Sequence, residues 1–403
     1  MALLSRIFHP ENRIDQSTDW VQDLAIDGGY GNSNSGRSVT PNTAMRTSAV
    51  FACVNVISQT VAQLPLPLYR RTATGKELVT KHPLFNIVNR RPNKFHNSFN
   101  FREMLTAHQC LRGNSFAFIN RVGNGRIYEL LPLHPDCVGV YRDPWTWEIT
   151  YTISQKKGIQ GVFTPNEVLH VMGMTLNGFK GISPITYARE AIGLALATEE
   201  HGARLFSNGA QIAKAFKHPG KLGDVTYERL KKSLSDEFSG VSNSNKTIIL
   251  EEGMDISTLS MTSDDAQFLE TRQYQVPEIA RFFRMPLHKI QDMSASTNNN
   301  IEQQALEFIS DTMLPWFTRW EAALNTQLLT PQEQGEYFFK FDVDEILRAD
   351  MKSRFEAYSS AITSRIMNPN ECRGREDMNP YPGGNEYVNP AITPGQGGQN
   401  AAK

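Results

Sequence analysis

The apolar positions follow two different periods along the chain, and the change between them predicts the elements. Residues 43–64 are apolar on nearly all sides, with Val50, Phe51, Val54, Ile57 and Val61 spread around a helix that Pro65 and Pro67 end. A helix with no polar face is a buried one. Residues 65–71 then read as a short strand, and Ser98 is placed to cap a helix that runs through Leu111 and closes at Gly113. Between 115 and 171 the pattern shortens to strand-like runs at 116–121, 127–133, 138–141, 147–153 and 168–172, with a Gly123-Asn124-Gly125 turn inside the series. The mixture predicts an α+β fold.

Helical spacing then returns. Ser183 before Pro184 is a strong helix start, and the helix is expected to run to Phe206 and stop at Asn208 and Gly209. The charged stretch 211–240 has helix-forming residues at 227–238, and 246–250 reads as a strand. A further helix is predicted over 263–285. Pro277 falls inside it, so a kink or two abutting helices are expected. A polar break at 286–300 ends in Asn298, Asn299 and Asn300. The clearest helical pattern follows over 301–324, where Ile301, Ala305, Phe308, Ile309, Trp316, Phe317, Trp320 and Leu324 keep three-and-four spacing and Pro315 predicts a bend. A strand at 337–341 and a helix at 350–362 complete the series. Residues 27–37 read as flexible, and 379–403, rich in Pro, Gly, Asn and Gln, as a disordered tail.

Charge changes this picture by what it lacks. The 403 residues hold 41 Lys and Arg against 42 Asp and Glu. A protein that grips phosphates carries a strongly basic face, so nucleic acid is either no partner or one that is not held tightly. No signal peptide is read at the N-terminus. The most apolar stretch, 50–69, is interrupted by Asn55, Ser58, Gln59 and Gln63, so no membrane span is expected. Cys53, Cys110, Cys137 and Cys372 are scattered without a Cys-x-x-Cys pair, which fits a reducing compartment.

Tests for catalytic motifs fail one after another. Gly75-Lys76 is followed by Glu77 and Gly220-Lys221 by Leu222, so no phosphate loop forms. Ser154 and Lys157 match a Ser-x-x-Lys spacing but lack its companion motifs and lie in a strand-rich run. The nine histidines form no ligand-spaced pair. His170 in an apolar strand and His201 on a helix read as structural, and no metal or cofactor is expected. Asp342, Asp344 and Glu345 read as a solvated turn or cap, and Asp264 and Asp265 as residues that complement a helix dipole. Residues 209–250 carry seven Lys or Arg against four acids, a modest local excess.

A set of strings in fixed order resembles the portal, or head–tail connector, family of long-tailed bacteriophages. They are SAVFACVNVI at 48–57, LPLPLY at 64–69, LRGNSFAF at 111–118, LLPLHP at 130–135, GISPITYARE at 181–190, FLETR at 268–272, IARFFRMPL at 279–287, NNNIE at 298–302, NPNECR at 368–373 and NPYPGG at 379–384. Each is weak alone; as an ordered set over about 43–384 they are specific. The resemblance implies a non-enzymatic ring subunit, in the family a dodecamer, around a channel at one capsid vertex through which double-stranded DNA is packaged and ejected. The implied partners are the terminase large subunit, the major capsid protein or scaffold, and head-completion or adaptor proteins, with no membrane. The implied place is the virion, after assembly in the host cytoplasm. Another kind of head–tail adaptor ring is the alternative.

By the same resemblance the chain divides into a flexible arm at 1–42, a wing at 43–182, stem helices at 183–207 and 263–285, and a clip at 208–262. A tunnel loop at 286–300, a bent wing-to-crown helix at 301–327, a strand and crown helices at 328–382 and a tail at 383–403 follow. The channel residues expected on the tunnel loop are Lys289, Gln291, Asp292, Ser294, Ser296, Thr297, Asn298, Asn299 and Asn300. Motor docking on the clip is expected at Lys214, Lys217, Lys221, Arg229, Lys231 and Lys232.

Overall fold

The computed structural model describes residues 31–73, 75–123, 125–156, 158–207, 214–217, 220, 223, 227–228, 255–258, 264–291, 304, 306–343, 351–376 and 378–387. The chain divides into two compact units, 1–298 with 307–341, and 299–306 with 342–403.

The first unit opens with a ribbon where a flexible segment is expected. Strands β1 (Gly31–Asn32) and β2 (Ser38–Val39) pair antiparallel around a turn in which Gly36 takes φ +76. The Asn, Ser and Gly residues that read as flexibility are the ones a tight turn requires. Next, the single helix expected over 43–64 is two. Thr40 and Thr43 form a reciprocal capping box around α1 (Pro41–Ala44), and extended backbone at Thr47 precedes α2 (Ser48–Gln63). Helix α2 buries Val50, Cys53, Val54, Ile57 and Val61, but Phe51 is 52% exposed. Its last carbonyls are met by the buried Arg102, whose guanidinium donates to the oxygens of Val61 (3.3 Å) and Leu64 (2.7 Å).

Strands β3 (Leu68–Thr72) and β4 (Gly75–Leu78) form a hairpin, followed by α3 (Pro83–Asn89) and α4 (Ser98–Arg112). The cap of α4 is Asn97, whose side chain accepts from the backbone N–H of Asn100 at 2.7 Å. Ser98, the expected cap, instead donates to the carbonyl of Val88. Gly113 closes α4 in the left-handed region at φ +73.

Six strands follow: β5 (Asn114–Arg121), β6 (Ile127–Leu133), β7 (Val138–Arg142), β8 (Ile149–Ser154), β9 (Gln160–Phe163) and β10 (Val168–Met172). They make two antiparallel three-stranded sheets, β10-β5-β6 and β7-β8-β9. Phe116, Leu133 and Val168 of the first pack with Tyr151 and Ile153 of the second. Each such side chain stabilises the fold by about 1.5–3 kcal/mol.

Helix 183–206 is also broken in two. Ser183 caps α5 (Pro184–Tyr187) as expected, Ala188 interrupts, and α6 (Arg189–Ser207) continues. A short pair, β11 (Lys214–Lys217) with β12 (Asp255–Thr258), precedes α7 (Asp264–Phe282). Pro277 lies inside α7 and does not split it. Packing of α7 against α6 and α2, with Gln275, Ile279 and Ala280 buried, outweighs the hydrogen bond that proline removes.

The helix expected over 301–324 enters its α-helical part through a π-helical turn, Phe308–Met313, directly before Pro315. The wider turn lies directly before the proline, where the sequence predicts a bend, and gives its ring room. Beyond it α8 (Leu314–Gln327) buries Phe317 and Trp320, and the Trp320 Nε1–H donates to Thr106 Oγ1 at 3.2 Å. Helix α9 (Pro331–Glu336) leads into β13 (Tyr337–Phe339), which joins β3 to complete the sheet β13-β3-β4.

The second unit contains α10 (Met351–Thr363) and α11 (Pro369–Arg375). Glu376 ties them, accepting from Arg354 at 2.8 Å and from the Tyr358 hydroxyl at 2.9 Å. A cavity of about 400 Å3 opens beside them, lined by Phe355, Tyr358, Ile362, Cys372 and Tyr381 among others.

Candidate functional site

Three structural features converge on the segments that sequence reasoning singled out: a helix pair, a loop clamped at its roots, and a polar anchor where the sheets hand over to the helices.

Helices α6 and α7 pack together. Thr198 on α6 donates its hydroxyl to Gln275 Oε1 on α7 at 3.1 Å. The β1–β2 ribbon is fastened to the same α6. The Asn34 N–H donates to Glu190 Oε2 at 2.9 Å, and Arg37 is ion-paired with Glu200, which also holds Arg204 at 2.5 Å. Gly193 makes this possible, because a Cβ there would fall 2.1 Å from Ser33 Oγ. Sequence reasoning missed the ribbon contact; the glycine inside a helical pattern was its one signal.

The loop between α7 and the π-helical turn has both roots clamped. Arg284 turns the chain at φ +52, and its carbonyl accepts from Thr312 Oγ1 at 2.6 Å. A short 3-10 turn, Leu287–Ile290, follows and ends at Gln291 with φ +63. Lys289 extends its ammonium over the Phe308 ring, 4.9 Å from the centroid. Both roots pack against the buried α2. His288 is held below the ordinary imidazole range, first by burial and then by the neighbouring Lys289 charge.

The anchor sits where β5 begins. Asn114 Oδ1 accepts from the Gly181 N–H and its Nδ2 donates to the Gly181 carbonyl, both at 2.7 Å, a side chain standing in for a strand partner. His170 completes it. Its Nε2 lies 3.0 Å from Asn114 Oδ1, an acceptor only, so Nε2 carries the proton. Nδ1 then accepts from the Tyr151 hydroxyl at 3.2 Å. Burial lowers the His170 pKa to about 3 and raises that of Tyr151 to about 12. The histidine is therefore neutral and structural, as its apolar strand suggests.

Of the expected channel residues, the structure describes Lys289 and Gln291; Asp292, Ser294, Ser296, Thr297, Asn298, Asn299 and Asn300 lie outside the described residues. Of the clip residues, Lys214 and Lys217 fall on β11, paired in register with Thr258 and Asp255 of β12. Lys221, Arg229, Lys231 and Lys232, and the expected elements at 227–238 and 246–250, lie outside them, apart from a helical Tyr227 and Glu228. Among the described residues no group of three His, Cys, Asp or Glu converges to hold a metal ion, and no helix is long and apolar enough to cross a membrane.

These features define a class, an α+β scaffold in which a helix pair and the clamped roots of a loop both pack against α2. The chain belongs to the phage portal protein family, whose model matches residues 48–377. It is 37% identical to the probable portal protein of Streptomyces phage phiC31 over 361 residues, 87% of this chain and 78% of that one. To the portal protein of Enterobacteria phage HK97 it is 29% identical, covering 86% and 82%. Among solved structures it matches the neck of an empty gene transfer agent particle computed with C6 symmetry, at TM-score 0.62 and 23% identity, over 89% of this chain and 99% of that one. It also matches the crystal structure of an HK97-family portal protein from Corynebacterium diphtheriae, at TM-score 0.57 and 18% identity, over 75% and 95%. Portal proteins are structural components of phage particles, so the family places this chain in the virion.

Proposed function

We propose that copies of this chain close into a ring whose axial hole passes double-stranded DNA, with the stem helices and the 286–300 loop facing it. The ring is proposed as twelvefold, in keeping with the native gene transfer agent neck computed with C12 symmetry. The observation that carries the reading is the loop clamp. The roots at 284–291 and 308–313 both pack against α2 and are tied to each other by the Thr312–Arg284 hydrogen bond and the Lys289–Phe308 stack. Roots tied in this way let the intervening segment meet DNA without carrying the base along.

The loop's chemistry suits passage. Each phosphate neutralised by Lys or Arg adds affinity and slows sliding. Gln291, Ser294, Ser296, Thr297, Asn298, Asn299 and Asn300 offer polar contact without charge, and only Lys289 and Asp292 are charged. Lys289 is engaged with Phe308. The loop touches phosphates transiently and reads no bases.

The segment 208–262 between the stem helices is the clip, where Lys214, Lys217, Lys221, Arg229, Lys231 and Lys232 meet the terminase large subunit during packaging; head-completion proteins take its place afterwards. The wing contacts the capsid, and assembly takes place in the host cytoplasm. The role is mechanical, without catalysis. Class-averaged electron micrographs of purified protein should show rings with an axial hole. Alanine across 294–300 should leave rings intact and cut DNA packaging and retention. Protein that stays monomeric under every condition would overturn the reading.

A further inference from the structure

The outward face of the sheet β13-β3-β4 carries an aromatic and cationic patch that the portal reading leaves unused. Register pairs Phe338 with Tyr69 and Tyr69 with Leu78; two residues along β3 it pairs Arg71 with Lys76. Side chains two apart on a strand share a face, so these five form one surface. The Tyr69 and Phe338 rings lie 5.6 Å apart, the Arg71 guanidinium 4.6 Å from the Phe338 centroid, and the Lys76 ammonium 4.2 Å from that of Tyr69. Leu78 is 53% exposed.

The charges on the two faces differ. Arg70, pointing the other way, is paired with Glu336 at 2.6 Å. Among the described residues neither Arg71 nor Lys76 has a carboxylate partner. Among the described residues strand β4 is also an edge of its sheet, with no strand paired on its other side. An aromatic row flanked by unneutralised cations fits a partner that is apolar and acidic together.

This chain contains such a segment. Residues 11–27 hold Glu11, Asp15, Asp19, Asp23 and Asp27 against Arg13 alone, with Ile14, Trp20, Val21, Leu24 and Ile26 among the acids. The segment joins β1, whose ribbon is fastened to α6 through Asn34 and Arg37. The eleven residue-to-residue steps from Trp20 to Gly31 can span about 36 Å when extended. In a closed ring of identical chains each contact is heterologous, so one copy donates a patch that the next accepts.

We infer that residues 11–27 of one copy dock on the Phe338–Tyr69–Leu78 face of the adjacent copy, with their acids against Arg71 and Lys76, so that ring neighbours are fastened by an exchanged arm. This rests on the ring reading above. The test is a cysteine pair, Trp20→Cys with Leu78→Cys, in a Cys137→Ser background, since the other three cysteines are buried. Rings are oxidised and run on a non-reducing gel. The expected result is a ladder of covalent multimers. Arg71→Glu with Lys76→Glu should lower the ladder yield about fivefold, the scale of two exposed ion pairs, and high salt should act likewise. Arg70→Glu, on the opposite face, should leave the yield unchanged. Rings that give no ladder, a product cross-linked only within one chain, or a yield indifferent to the double reversal would each overturn the exchanged arm while the portal reading stands. If micrographs show no rings, both fall.

Discussion

Replacing His170 with Phe tests whether the Tyr151–His170–Asn114 anchor is a neutral, structural device. At neutral pH the change removes the partner of the Tyr151 hydroxyl and one of the two donors to Asn114 Oδ1. Leaving one buried polar group unmet costs about 1–3 kcal/mol. Asn114 keeps its paired bonds to Gly181, so the expected loss is about 2 kcal/mol. The acid limb discriminates better. Unfolded, the imidazole binds a proton below its ordinary pKa of 6.5; folded, it does so only near a pKa of about 3. The unfolded state therefore holds more protons between those values, and wild-type stability falls as pH falls, by about 1.4 kcal/mol per unit.

At pH 5 that amounts to about 2 kcal/mol lost from His170 alone. His108, lowered to about 4 by burial and then by Arg112, acts in the same direction but in both proteins. Only the difference between the two curves reports on His170. Urea midpoints measured from pH 7.5 to pH 5 should start apart and converge, because the variant lacks this acid loss. Parallel curves would refute a buried neutral histidine at this position, whatever the offset between them.

Three further changes probe separate joints. Gly193→Ala places a methyl 2.1 Å from Ser33 Oγ; amides of 31–39 should exchange at least tenfold faster, while α6, where Ala is favoured over Gly by about 1 kcal/mol, stays folded. Gly113→Ala sets a Cβ 2.0 Å from the Ile182 carbonyl oxygen at a φ of +73, and a loss above about 3 kcal/mol, read as a collapse in soluble yield, is expected from backbone displacement plus left-handed strain. Glu376→Gln weakens the bonds to Arg354 and Tyr358, and limited proteolysis within 351–387 should speed up in step with a loss of about 2 kcal/mol.

What the sequence made legible follows from how local each signal is. Ile127–Leu133 and Val168–Met172 are read to the residue, because turns bound alternating or apolar runs on both sides. The failures come where a distant partner decides. Pro277 reads as a break, yet α7 persists because α6 and α2 supply the packing that proline's lost bond withdraws. Residues 27–37 read as flexible, yet 31–39 form a ribbon whose stabilising groups, Glu190, Gly193 and Glu200, lie more than 150 residues away. Asn97 takes the cap assigned to Ser98 because the Val88 carbonyl claims the serine hydroxyl. Of the candidate site, the polar loop at 286–300 was visible in composition, but the Thr312–Arg284 clamp joins residues that carry no pattern in common.

That clamp bears on how force would reach the proposed channel. Helix α2 supports both loop roots and also packs against α4 and α7. A push on the loop is passed first to Arg284, Lys289, Thr312 and Phe308, and then to a helix whose Val50, Cys53, Ile57 and Val61 have no measurable exposure. A close-packed interior has few voids and low compressibility, so the base yields less than the loop it supports. On the proposed channel reading, load on the loop would therefore be taken up at its roots before it reaches α2 and the elements packed on it. Thr312→Val would remove the 2.6 Å bond without disturbing that core. It should raise exchange at 286–291 and leave β5 and β10 protected, and equal exchange changes in loop and sheets would show that the base is not the rigid part.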